Sequence, residues 1–489
     1  MTTPFLGIDF EKLNTDPKAI IGSDMSVIGL IGTGPAANAT SYPLNTPVQI
    51  FSNDATALSD LGLTGTLADA VTLINAQLTD GQLAAKIVVV RVTVGADDDA
   101  TMVNIIGSQA ANTGLFAFMA APAILGIVPR LIIAPGYTWQ TKIGLSTPIV
   151  AAAGTGGANG TFALSFVGGT GSGATGTFTV TAGSVTAVTL TNPGVYTVAP
   201  TISLTASAGL TGASVTTSIT TLANPVCAAL PAVLGALFAH AIVDGPATTL
   251  AAFTAWRNTM NSDRIIAQET AVRVGVGAIQ KWASPAVAGI AVRVDYGNDG
   301  IPSKSWANQP MYGIVGPSRA IAYSLNEGAT EGQQILSLGG GVILRGEAGV
   351  ETAIASSGFQ YVNIYSTTTD TTWQQYHQTR MRDYQHLAFL KTLRAFLGFP
   401  LIGQTLQAIY NTMHSFERDL QAGGHILGFR ISFPPSTNSA EQLRTGRINI
   451  LFQAEEAPVV RLIHIQSARY RPALDTLLVN LQAQLGTFV

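Results

Sequence analysis

Apolar and polar residues alternate over residues 5–13, with Phe5, Leu6, Ile8 and Phe10 as apolar positions, until Asn14, Asp16 and Pro17 end the pattern. A period of two marks a short strand on an N-terminal arm. From residue 20 to 145 strand and helix patterns take turns: apolar runs at 27–31, 48–51, 86–94 and 130–134, with a helical run at 67–78. The cores of the runs at 87–90 and 130–134 are apolar without alternation, which predicts strands of a sheet covered on both faces. The same alternation of elements returns after residue 222, with a helix over 250–260, a strand over 264–267 and further α/β material to about residue 370. A long helical zone at 373–396 follows. A second helix carries Leu406, Ile409, Met413, Phe416 and Leu420 at helical spacing and stops at Gly423 and Gly424. Then come a strand at 425–433, Pro434 and Pro435, a short helix at 440–444, and a strand at 447–454 that alternates Ile448, Ile450 and Phe452. An extended stretch at 459–467 and an apolar tail at 474–485 end the pattern.

Residues 151–222 break it. They are Gly, Thr, Ser, Ala and β-forming residues almost throughout, with no Lys, Arg, Asp or Glu. Short strands are predicted at 161–167, 176–181, 184–191 and 201–206, with Gly168, Gly169, Gly171 and Gly173 as punctuation and Asn192, Pro193 and Gly194 as a turn. Such a composition also describes a flexible linker. Phe162, Leu164, Phe166, Phe178, Val180, Val185, Val188 and Leu190 supply residues to bury, however, so the reading is a small β domain inserted into an α/β host. A host that carries a whole domain on one loop suits a repeating exterior lattice better than a compact catalytic core.

Composition sharpens this picture. A chain of 489 residues accommodates two to four domains and several cores without metal or disulfide staples. Cys227 is the only cysteine, which excludes an intrachain disulfide and points to folding in a reducing cytoplasm. Only 11% of residues are charged while 47% are apolar, too few charges to cover a soluble monomer of this size, so much of the surface is expected to be subunit interface. The net charge of −3 and the lack of any Lys or Arg run leave no electrostatic footprint for nucleic acid. The first apolar residues lack a basic leader, so no secretory signal is expected. Residues 114–129 and 226–243 are the two stretches to weigh as membrane spans. Pro122 and Arg130 limit the first, and Pro231, Gly235 and His240 interrupt the second, so both read as buried core elements and no membrane insertion is expected.

Candidate chemistry is sparse. Gly32, Thr33, Gly34, Pro35, Ala36 and Ala37 follow an apolar strand and match a dinucleotide-binding fingerprint, with Asp54 at the distance of a ribose-binding acid. Tyr42, Pro43 and Leu44 cut short the helix that such a site needs, so the residues read as a strand-to-loop turn. His377 and His386 would lie on different helix faces, and His414, His425 and His464 fall on separate elements, so no metal site is expected. Asp97, Asp98 and Asp99 read as a solvated turn without the spacing of a calcium loop. Cys227 sits in an apolar run that would not stabilise a thiolate, and no nucleophile motif or phosphate loop is present. An enzyme is not expected.

Many weak motifs follow one another along the chain: an arm strand at 7–13 leading to 25–34, then Tyr42 to Val48, Asn104 to Gly107 with Gly114 and Leu115, and the PRLIIAPG segment at 129–136. Later ones are 306–316, 338–345, 363–365, the helix with Arg380, Met381, Arg382, Asp383 and Tyr384, the turn at 422–424, and Thr445, Gly446 and Arg447 before the strand at 448–452. Their order resembles the contractile phage tail sheath proteins, and with them the sheaths of R-type bacteriocins and related contractile injection systems. The resemblance covers roughly 5–149 and 225–485. It implies an α/β (α+β) multidomain sheath core with an inserted all-β domain and terminal arms that exchange strands between subunits. The parts would be an N-terminal arm at 1–24, a first sheath segment at 25–149, an outward-facing insert at 150–222, a second segment at 223–372 and a C-terminal inner domain with its arm at 373–489.

What the resemblance implies for function is mechanical: stacked sixfold rings around an inner tail tube that contract to drive the tube through a cell envelope and deliver a genome. The arm residues would be Phe5, Ile8, Phe10, Val459, Ile463 and Ile465. The receiving sheet would use Ile426, Phe429, Ile431, Ile448, Ile450 and Phe452, and Glu417, Arg418 and Asp419 would face the tube. Partners would be further copies of the chain, the tail tube protein, and baseplate and tail terminator proteins, with no cofactor and no direct nucleic acid contact. The place would be the virion tail, assembled in the host bacterial cytoplasm. A bacteriocin or secretion-type sheath and, from another class, a nucleotide-binding α/β enzyme are the alternatives.

Overall fold

The computed structural model describes residues 24–486, so Phe5, Ile8 and Phe10 lie outside the described residues. Strands β1 (Ile28–Thr33), β2 (Pro47–Phe51), β3 (Lys86–Val92), β4 (Leu131–Ile133), β5 (His240–Asp244), β6 (Ile265–Gln268), β7 (Gln309–Pro310), β8 (Gly340–Arg345) and β9 (Phe359–Val362) form one nine-stranded sheet. Its order is β7-β9-β8-β6-β5-β4-β1-β3-β2. The strands from β3 to β8 pair in parallel, and β2 and the β9/β7 pair close the two edges by antiparallel pairing. Unalternating apolar runs become the centre of this sheet because both of its faces are covered. Ile87 and Val89 join Leu131, Ile133 and Ile242 under helices α1 (Leu67–Ala76) and α2 (Ser284–Tyr296). Val88 and Val90 join Ile132, Ala241 and Val243 on the other face, under the helices Asp98–Ile106, Pro225–Leu237 and Leu250–Arg257.

The apolar stretch 226–243 is thus a 13-residue helix followed by a buried strand, and among the described residues no helix is long and apolar enough to cross a membrane. The acidic cluster at 97–99 differs from the expected solvated turn. Asp97 caps the helix Asp98–Ile106 by accepting from the Ala100 amide at 2.7 Å, and Asp98 and Asp99 occupy its first turn, where the helix dipole favours negative charge.

The uncharged stretch leaves the host through a stem in which Lys142–Leu145 pairs antiparallel with Ile219–Leu222. The Ser146 amide donates to the Ser218 carbonyl at 2.8 Å at the far end of the stem. Beyond it, Thr170–Thr181 and Ser184–Val198 form a long hairpin, and Leu164, Phe178, Val180, Val185, Ile202, Leu204 and Val215 form a separate small core. The hairpin turns at Ala182 and Gly183, whose φ values of 50° and 80° fit a two-residue primed turn. The turn expected at 192–194 is absent. Asn192, Pro193 and Gly194 lie inside the second strand as an irregularity, with Gly194 at φ 64° and its amide held by Asn192 Oδ1 at 2.9 Å. Because the stem closes on itself, replacing 147–217 with a short Gly-containing turn is expected to leave the host sheet folded, with a melting temperature close to that of the full chain. Loss of cooperative melting in calorimetry would show that the host depends on the insert.

The last part of the first compact unit, Met1–Ala457, is built on helices α3 (Tyr376–Leu393) and α4 (Gly403–Ala422) and a hairpin of β10 (Ile426–Ser432) and β11 (Leu451–Glu456). The second unit, Pro458–Val489, has no regular structure over 458–470 and then a helix, α5 (Arg471–Leu485).

Candidate assembly interface

Strands β10 and β11 pair with each other, and among the described residues no third strand pairs with either outer edge. One face of the hairpin is fixed by packing. Ile426 joins Met381 and Leu420, while Ile431 joins Ile409 and Met413, with Phe429 and Phe452 packed against these residues. Phe452 lies directly opposite Ile431 in the ladder. Ile448 and Ile450, expected within the second strand, precede it instead. Asn449 is tied into the preceding loop, its amide donating to Asn438 Oδ1 at 2.8 Å and its carbonyl accepting from Asn438 Nδ2 at 2.9 Å, so pairing starts at Leu451. A two-stranded sheet with both edges open is a ready template for an added strand.

On α4 the expected trio does not share a face. Arg418 and Asp419 are exposed, but Glu417 is fully buried and accepts from Gln385 Nε2 of α3 at 2.9 Å. It lies on the same helical stripe as Ile409, Met413 and Leu420, and so points inward. Burial pushes its carboxyl up to about 7, against the opposing pull of the Gln385 hydrogen bond and of Arg382, with Glu456 adding a smaller upward push. Among the described residues Oε1 of Glu417 and Oε1 of Gln385 have no hydrogen-bond partner, and a protonated carboxyl is the form that can return a hydrogen bond to the carboxamide. The folded protein takes up this proton at about pH 7, whereas the ordinary carboxyl value is 4.5. The stabilisation is therefore fully present below pH 4.5 and lost as pH rises through 7. Raising the pH from 5 to 8 is expected to cost up to about 3 kcal/mol in urea unfolding, and Glu417→Gln to flatten that slope. Equal slopes in the two proteins would assign the pH dependence elsewhere.

In the second unit, Ile463 and Ile465 are 74% and 80% exposed, and neighbouring Val460 and Leu462 are exposed as well, while Val459 is half-buried. Helix α5 also exposes Leu474, Leu477, Leu478, Leu481 and Leu485. A run of large apolar side chains this exposed marks surface that a partner covers.

The Gly32–Gly34 turn holds no cradle. The strand order reverses between β1 and β4, the place where an open α/β sheet binds a nucleotide, but that crevice is filled. The Thr33 amide donates to Thr66 Oγ1 at 3.1 Å, Thr33 Oγ1 lies 3.3 Å from the Tyr137 hydroxyl, and a Cβ on Gly32 would overlap the Thr66 hydroxyl. No helix follows the turn, and Asp54 caps the helix Ala55–Leu61 by accepting from the Thr56 and Ala57 amides. Cys227 is buried, and burial raises its thiol far above the usual range. His377 is buried with Nε2 3.2 Å from the Ala457 carbonyl, and His425 Nδ1 lies 2.7 Å from Ser303 Oγ. Among the described residues no group of His, Cys, Asp and Glu is placed to hold a metal.

Polar residues that the sequence left unassigned tie α3 to the rest of the first unit. Arg380 and Asp295 form an ion pair at 2.6 Å with both side chains fully buried, and Asp383 receives both Nη atoms of Arg264. Arg382 pairs with Glu456 at 2.7 Å.

No family model matches the chain. In sequence it is 32% identical over 151 residues to the tail sheath protein of Escherichia phage P2, a match covering 29% of this chain and 37% of that protein. It is 34% identical over 136 residues to the major tail sheath protein of Serratia phage KSP20, covering 26% of this chain and 33% of that one. The chain resembles the contractile tail sheath proteins. Each match spans about a third of the length of the curated relative. In fold, the chain superposes on the contracted helical sheath of the anti-feeding prophage with a TM-score of 0.57 at 13% identity, over 96% of this chain and 100% of the other. It superposes on a chain of the sixfold-symmetrised baseplate of the same particle with a TM-score of 0.54 at 12% identity, over 96% and 99% of the two chains. The mixed α/β fold is therefore that of contractile sheath proteins along nearly the whole chain.

Proposed function

We propose that this chain is the structural subunit of a contractile tail sheath. It polymerises as stacked sixfold rings around an inner tail tube and contracts to drive the tube through a host cell envelope for genome delivery. The observation that carries this reading is the two-stranded β10/β11 sheet with two open edges, in a chain whose C-terminal unit exposes apolar residues at 460, 462, 463 and 465. A terminal arm of one copy adds to the sheet of the next. Main-chain hydrogen bonds supply affinity, and alternate side chains set the register. The arms are assigned to Phe5, Ile8 and Phe10 and to Val459, Ile463 and Ile465. With Glu417 inside, the tube contact on α4 falls to Arg418 and Asp419, whose exposed charges give weak, screened contacts suited to sliding. The insert at 150–222 faces outward.

Contraction exchanges one packing of the lattice for another and needs no cofactor. Tube, baseplate and terminator proteins are the remaining partners, and the virion tail, assembled in the host cytoplasm, is the place. An injection-machine sheath is the second reading, favoured by the fold shared with the anti-feeding prophage sheath.

Cysteine pairing tests strand addition against a low background, because the only native cysteine is buried. Gln453→Cys on β11 combined with Ile463→Cys is expected to give an oxidised ladder of covalent multimers under denaturing electrophoresis. Single bands at monomer mass from assembled protein would contradict strand addition at this edge.

A further inference from the structure

The first described residues and the last residues of the first unit are fastened to the same two turns of helix α3. Arg380 Nη2 donates to the Met25 carbonyl at 3.0 Å, and its guanidinium grips both Asp295 oxygens, at 3.1 and 2.6 Å. Ser26 Oγ donates to the same Asp295 carboxylate at 3.0 Å. Met25 is fully buried and directly follows the first described residue. Two residues before Arg380, Gln378 Nε2 donates to the Glu456 carbonyl at 3.3 Å, and His377 Nε2 meets the Ala457 carbonyl at 3.2 Å. Arg382 holds the Glu456 carboxylate at 2.7 Å and the Ala454 carbonyl at 2.6 Å. Ala457 is the last residue of the first unit.

We infer that α3 is a strut that carries tension between the two arm roots, with His377, Gln378, Arg380 and Arg382 as its positioning residues. The source of the tension rests on the sheath reading. Residues 377 and 382 lie about 7–8 Å apart along a helix, at roughly 1.5 Å per residue, so the path is short and stiff. It bypasses the nine-stranded sheet, which would otherwise lie between the two roots along the chain. Most of the acceptors are main-chain carbonyls, so the direction in which each end leaves depends on side chains of α3. In a lattice that changes packing while its links persist, such a path lets one link pull on the next without deforming the α/β core.

The test pulls the full-length chain by handles at its two ends in an optical trap. Arg380 is too deeply paired to substitute cleanly, so the variant is Ser26→Ala with Gln378→Ala, which removes one hydrogen bond at each root and keeps the ion pair. The control is Thr254→Ala, which removes a hydroxyl bond to the Leu250 carbonyl away from α3. The double variant loses two hydrogen bonds, one of them to a carboxylate, and the control loses one, so its urea midpoint is expected to fall somewhat below that of the control, while its first rupture force falls by about a third or more. Equal rupture forces in the double variant and the control would overturn the strut. The force difference between the double variant and the control, together with a wild-type chain that forms no tubes, would leave the strut standing and overturn the sheath reading.

Discussion

Removal of residues 1–18 is expected to abolish polymerisation while leaving a folded monomer. The first described elements begin at Asp24, and Met25 is anchored by Arg380, so the cut leaves intact every contact among the described residues that holds the sheet together. The apolar positions Phe5, Ile8 and Phe10 go with it, and one of the two open edges of β10/β11 then loses its incoming strand. Circular dichroism and cooperative melting of the truncated chain should match the full-length protein. Sedimentation velocity should show a monomer at concentrations where the full chain pellets. Normal tubes from the truncated protein would refute the arm assignment and shift the link to the C-terminal unit alone.

The largest stability change is expected at Asp295. Arg380 and Asp295 are both fully buried, and the Arg380 guanidinium also lies 5.0 Å above the Trp306 ring. Asp295→Ala leaves that guanidinium with the Met25 carbonyl as its remaining hydrogen-bond acceptor and also strips Ser26 Oγ of its acceptor. Removing one partner of a buried pair costs roughly 3–5 kcal/mol, most of it the penalty of an uncompensated charge. Urea denaturation at constant pH measures it. Exposed Arg418 and Asp419 give the contrast: their contact at 3.5 Å is open to water, and Arg418→Ala should leave the midpoint unchanged. A small effect at Asp295 would mean that water or a rearranged side chain solvates Arg380, and the account of α3 as a fixed element would fail with it.

The sequence disclosed most where burial is decided locally. The run at 86–94 needs no distant information to be a doubly covered strand, because every residue from Ile87 to Val90 is apolar and both faces are packed. Helix α4 was equally legible from its spacing, yet Glu417 was misplaced. The period that puts Ile409, Met413 and Leu420 inside also puts 417 inside, and a carboxyl at that position is the signal that points the other way. At 192–194 the Pro and Gly spell a turn, but the facing strand carries Gly171 and Gly173 at positive φ and accommodates the irregularity within the ladder. The start of β11 was hidden because the Asn438–Asn449 pair that delays it has no apolar signature. The ties of α3 were least legible. Arg380 finds Asp295 across 85 residues and Met25 across 355, so the largely polar first half of α3 is buried by partners no local pattern reveals.

Self-assembly is the central claim, and negative-stain electron microscopy of the full-length protein at high concentration tests it most directly. Long hollow tubes with sixfold helical symmetry are the predicted result. A discrete monomer or dimer at every concentration would contradict the account, because the open edges of β10/β11 and the exposed apolar C-terminal unit would then have no partner in further copies of this chain.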